Sequence, residues 1–214
     1  EPGSPRAEAD RRIFRATRQL EGSPRWTLAQ NDNVEAVPAM LEDFSCAAGK
    51  PLSKADAPKL TALLLRTRFD VIEAVNKPKN HYRRQRPFLI DRGDICIPRT
   101  PALALSPDYP SGHSTWGWTV GLILAELDPA HASDILVRAR AFGESRVVCG
   151  VHNASAIEAA RTNASVLVAA LHGDPAFRAD LDGARAEVAG LAAASGTDAS
   201  ACAAEAALTA KTPW

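Results

Sequence analysis

A chain of 214 residues with 46% apolar content is long enough to bury one core, and its 25 basic and 25 acidic residues leave no formal net charge. That balance excludes a global attraction to nucleic acid or to an anionic membrane, so any anion site must be a local cluster. A bilayer span is excluded too, because the longest apolar stretch, Trp116 to Leu127, is interrupted by Gly117, Gly121 and Glu126.

The first 25 residues are polar, and Pro2, Gly3, Pro5, Gly22 and Pro24 bracket a short helical stretch near Ala9 to Leu20, so residues 1–25 are expected to be an arm docked on the body with no part in the chemistry. The chain opens at Glu1 with no methionine or apolar leader, as expected of a processed, exported protein. From Pro58, the spacing of Leu60, Leu63, Leu64, Thr67, Val71 and Val75 predicts a helix burying one face and ending near Asn76–Pro78. Residues 88–110 contain Pro98, Pro101, Pro107, Pro110 and Gly93 without periodicity, which reads as a long ordered loop. Ser111 is a good N-cap for a helix running to about Leu127, where Gly117 and Gly121, one turn apart, permit a close neighbour and a central place in a bundle. Helices are further expected over 131–149, 152–171 and from Pro175 to about Ala194, followed by an alanine-rich, partly ordered tail over 195–214 broken at Gly196 and Thr197. No segment reads as a strand. The expected fold is a single-domain, all-α bundle over residues 26–194. Cys46, Cys96, Cys149 and Cys202 form no C-x-x-C pair and no zinc spacing, which leaves either two disulfides in any of three connectivities or four buried thiols.

Three clusters carry groups suited to a dianion. Lys79 and Arg86 stand seven residues apart, about two turns if that stretch is helical, so both side chains can reach one phosphate; a solvated basic face that includes Arg83 and Arg84 is the plainer alternative. Pro110-Ser111-Gly112-His113 opens a helix, where free backbone N–H groups, a hydroxyl and the helix dipole favour an anion beside a histidine. Arg146 and His152 are six positions apart and face the same way only if the helix breaks between them, for which Gly150 is the natural place.

Together these read K-x6-R-P, P-S-G-H and S-R-x5-H. The pattern resembles the type 2 phosphatidic acid phosphatase superfamily, which also includes the vanadium haloperoxidases. His81-Tyr82, Arg86-Pro87-Phe88, Gly117-Trp118 and Ser145-Arg146-Val147-Val148-Cys149-Gly150 are similar to the class A bacterial non-specific acid phosphatases, over about residues 26–190. The resemblance implies an acid phosphatase domain with His152 as nucleophile and His113 as the acid that protonates the leaving group. Lys79, Arg86, Ser111, Gly112 and Arg146 would bind phosphate, with neither metal nor other cofactor. It implies small phosphomonoesters and inorganic phosphate as ligands, no nucleic acid or membrane partner, a periplasmic or secreted location, and a homodimer. One departure stands out: the family continues H-x3-D after the nucleophile, and here that position is Ala156. Without the aspartate that orients the histidine, a slower enzyme is expected, with Ser155 as the nearest replacement and a backbone carbonyl or an acid distant in sequence as alternatives. His81, inside the first cluster, is the other expected supporting residue. A vanadate-dependent haloperoxidase, or a phosphate-binding protein with impaired catalysis, are the competing readings.

Overall fold

The computed structural model describes residues 3–192 and 198–214, and among them there are α-helices, short 3₁₀ turns and no strand. The helices are α1 (Pro5–Thr17), α2 (Pro24–Asn31), α3 (Val37–Ala48), α4 (Pro58–Tyr82), α5 (Pro101–Leu105), α6 (Gly112–Leu127), α7 (Ala132–Val148), α8 (Ala154–Leu171), α9 (Pro175–Gly190) and α10 (Ala199–Thr209). The all-α expectation is met. The last long helix stops at Gly190, short of the expected Ala194, which itself lies outside the described residues together with the break expected at Gly196–Thr197.

Helix α6 is the axis of the bundle, packed against α7 and α8. Its glycines explain the intimacy: a Cβ on Gly117 would fall on the Phe142 ring, and one on Gly121 would fall on the Ala139 side chain. Around this contact Phe44, Leu60, Leu63, Leu64, Trp116, Ile123 and Phe142 form one continuous apolar core. A smaller cluster gathers Trp26, Cys96, Val148, Cys149 and Val151 at the far end of α7.

Helix α4 continues to Tyr82, past its expected end at Pro78. Proline has no N–H to offer the carbonyl four residues back. Here Asn163 of α8 donates its Nδ2 to the Ala74 carbonyl at 3.2 Å, so the backbone acceptor is satisfied and the helix persists. It finally closes at Arg83, whose left-handed φ of 46° turns the chain away and returns its N–H to the Lys79 carbonyl at 3.0 Å.

Both terminal segments are tied to the body. Helix α1 packs on α7 and α8, and α10 packs on α3 and α7. All four cysteines are paired, Cys46 with Cys202 and Cys96 with Cys149. The second bridge, with the Cys96 N–H donating to the Cys149 carbonyl at 3.0 Å, fastens the 88–110 loop to the end of α7.

Candidate active site

The three motifs converge on one cavity of about 260 Å³, whose wall includes Lys79, Arg86, Gly112, His113 and His152 together with Glu35, Arg68 and Trp116. Lys79 and Arg86 meet there for a reason other than the helical spacing expected of them: α4 has ended between them, and the turn at Arg83 folds Arg86 back beside Lys79. The Lys79 ammonium donates to the Pro107 carbonyl. Burial, followed by the charge of Arg86, lowers its pKa to about 8. Arg86 donates from Nε to the Ser106 carbonyl at 2.7 Å and from Nη1 to the Val151 carbonyl at 2.8 Å.

At the entrance of α6, Ser111 is fully buried and its Oγ caps the Ser114 N–H at 3.3 Å. His113, one turn further in, places Nε2 3.1 Å from the Asn33 carbonyl and Nδ1 3.4 Å from Glu35 Oε2. Burial, then the Arg146 guanidinium, hold His113 well below the ordinary histidine range, and the Asn33 carbonyl pulls the other way.

Helix α7 delivers Arg146 on its last turn and ends in a Schellman turn at Gly150. The Gly150 N–H bonds the Val147 carbonyl at 2.9 Å and the Val151 N–H bonds the Arg146 carbonyl at 3.1 Å, with Gly150 at φ 79°. That reversal brings His152 back over Arg146, as Gly150 was expected to do. Arg146 is 1% exposed, yet its Nε and Nη1 have no hydrogen-bond partner. It lies close enough to depress both histidines. His152 is 2% exposed and is held well below its usual pKa by burial first, then by Arg86, Lys79 and Arg146.

The two supporting residues expected around His152 stand elsewhere. Ser155 makes no bond to the imidazole. His152 precedes α8 instead of belonging to it, so helical spacing does not relate the two, and Ser155 Oγ instead bonds Arg84 Nη1 at 2.8 Å and the Asp10 carboxylate of α1. His81 is exposed, its ring edge-on to Tyr82, because two residues beyond Lys79 is about 200° around the helix. What touches His152 is a residue the sequence reading passed over. Asp108, at the end of the proline-rich loop and 0% exposed, places Oδ1 2.9 Å from His152 Nδ1. The same carboxylate accepts from Arg84 Nε at 2.7 Å. The only sequence signal for it was an acid just upstream of the P-S-G-H motif in a chain lacking the expected one at Ala156. A larger cavity of about 670 Å³ between α1 and the Tyr82–Gln85 turn contains neither histidine.

Comparison with known proteins agrees with this geometry. Residues 60–177 match the PAP2 superfamily. An acid phosphatase from Zymomonas mobilis is 44% identical over 187 residues, covering 87% of this chain and 71% of that protein. Non-specific acid phosphatases from Providencia stuartii and Salmonella typhimurium are 35% and 33% identical, covering 85% and 79% of this chain and 74% and 68% of those proteins. The chain, with its all-α bundle, belongs to the PAP2 superfamily.

Proposed function

We propose that this acid phosphatase hydrolyses small phosphate monoesters of broad range through a phospho-histidine on His152, without a metal. The observation that carries the reading is Arg146, a wholly buried guanidinium with two unpartnered nitrogens beside Arg86, Lys79 and two histidines. Buried polar groups are almost always paired, and the partner that fits this set is an anion with several oxygens.

The chemistry follows from the charges. Lys79, Arg86 and Arg146, with the N-terminus of α6, neutralise the phosphoryl oxygens, which is the part a metal plays in other phosphoryl transferases. The His152 Nε2 lone pair forms the N–P bond as the ester P–O bond breaks, and the leaving oxygen takes a proton from His113. Water then attacks phosphorus, gives its proton to His113, and the N–P electron pair returns to Nε2. The cavity of about 260 Å³ suits a phosphate and part of a small alcohol. Two disulfides fit the oxidising periplasm or exterior. The binding-protein alternative drew on Ala156, and it is weakened by the Asp108 carboxylate on the same imidazole.

Chromogenic monoester hydrolysis with chelator present, from pH 4 to 8, tests the reading together with acid-quench trapping of phosphoenzyme. Activity and phosphoenzyme are expected in the parent and absent in His152→Ala. The pH signs are fixed by the histidines. His152 is neutral and nucleophilic well below pH 6.5, so the acid limb lies low. His113 must be protonated, and in the free enzyme its pKa is also lowered, so kcat/KM falls as pH rises through a value under 6.5. Bound phosphate offsets Arg146 and raises His113, placing the alkaline limb of kcat at higher pH than that of kcat/KM. A kcat/KM flat to pH 8 would remove His113 from the acid role.

A further inference from the structure

Position 156, where the family pattern carries its aspartate, is a fully buried alanine whose carbonyl accepts the Ser111 N–H at 3.2 Å. The acid stands elsewhere. Asp108 Oδ1 lies 2.9 Å from His152 Nδ1 and 3.1 Å from the Asn153 N–H, and Oδ2 lies 2.9 Å from Asn153 Nδ2 and 2.7 Å from Arg84 Nε. Resting on the phospho-histidine reading above, we infer that Asp108 is the positioning residue that fixes His152 for attack, doing from the loop what the family's aspartate does from the following helix.

The hydrogen-bond inventory decides the tautomer twice over. A carboxylate surrounded only by donors accepts from all of them, so Nδ1 carries the proton. On the opposite edge of the ring, Arg86 Nη1 lies 3.1 Å from Nε2, and a guanidinium has no lone pair to give, so Nε2 accepts. Both contacts demand the same imidazole, with the Nε2 lone pair turned into the cavity. Burial raises the Asp108 pKa, while Arg84 and Asn153 draw it back, and the absence of any acceptor facing the carboxyl keeps it ionised. Arg84 holds it at two points, through the side chain and through its own carbonyl, which accepts the Asp108 N–H at 2.8 Å. Arg84 is braced in turn by Ser155 Oγ at 2.8 Å, and Ser155 by Asp10, whose Oδ1 accepts its N–H at 2.9 Å. As phosphorus bonds to Nε2 the ring becomes cationic, and Asp108 is the charge that meets it.

Asp108→Asn tests the assignment, because it keeps the shape and removes the charge. Phosphoenzyme formation is expected to slow by about 10²–10⁴-fold, as in hydrolases deprived of the orienting carboxylate. Inorganic phosphate should still bind within a few-fold of the parent, since Asp108 faces the histidine and not the anion. In the substrate-free parent, ¹⁵N spectra of the imidazole should show Nδ1 protonated and Nε2 bare, and the variant should show a mixture of tautomers. Ala156→Asp in the parent should give no gain. A folded Asp108→Asn protein that phosphorylates at the parental rate, an Nε2–H tautomer in the parent, or a tenfold gain from Ala156→Asp would each overturn the inference. If Asp108→Asn fails to fold, the tautomer of the parent decides alone. A parent that never forms phosphoenzyme but shows the Nδ1–H tautomer would refute the covalent mechanism and leave the positioning of His152 standing.

Discussion

Arg146 is costly to keep. A guanidinium out of water with two idle nitrogens loses hydration without a full set of replacements, and its pKa falls to about 10 from burial and then from Arg86. Arg146→Met should therefore raise stability in phosphate-free buffer by about 1–3 kcal/mol while abolishing most of the hydrolytic rate. Inorganic phosphate at a hundred times its Kd should stabilise the parent by about 2.7 kcal/mol and leave the variant unmoved, as read by thermal melts. A variant that is less stable and still responds to phosphate would place the anion elsewhere. At this scale the sequence was informative wherever a residue sat in a tight local motif: the P-S-G-H start of α6 and the Gly150 turn were legible because neighbours in the chain are neighbours in space. Asp108, Arg84 and Asp10 were not, because what joins them to His152 is the packing of a loop, a turn and α1, which no spacing encodes.

Among the elements, the pairing of α6 with α7 sets the position of both the anion cradle and Arg146. Gly117→Ala should be costly, since the new methyl meets the Phe142 ring in a packed core, with about 1–3 kcal/mol lost despite alanine's better helix propensity. Gly190→Ala, at the end of α9 with nothing within 4 Å, is the control and should be neutral or slightly stabilising. Urea midpoints compare the two, and equal effects would deny the close approach. Helix existence and the central place of α6 were readable from apolar period and small residues. The end of α4 was misjudged because Pro78 is a local signal to stop, and Asn163, from a helix much later in the chain, answers the orphaned carbonyl.

For the molecule as a whole, the two bridges tie different things. Cys46–Cys202 spans 156 residues and secures α10, whereas Cys96–Cys149 spans 53 and secures the loop that carries Asp108 against the end of α7. Chain-entropy arguments give each about 3–5 kcal/mol, so reduction should lower the melting temperature sharply. Replacing Cys96 and Cys149 by serine should in addition depress kcat, while the Cys46/Cys202 pair should cost stability with kcat kept; equal kcat in both double variants would sever the loop from the chemistry. The position of Asp108, 44 residues upstream of His152, also bears on descent. A text pattern that insists on an acid four residues after the histidine passes this chain by, although the carboxylate is present at hydrogen-bond distance. What selection preserves in such a site is a charge at a point in space, and more than one address in the chain can supply it. A lineage can move the charge between addresses without losing activity only by way of an ancestor that held both acids.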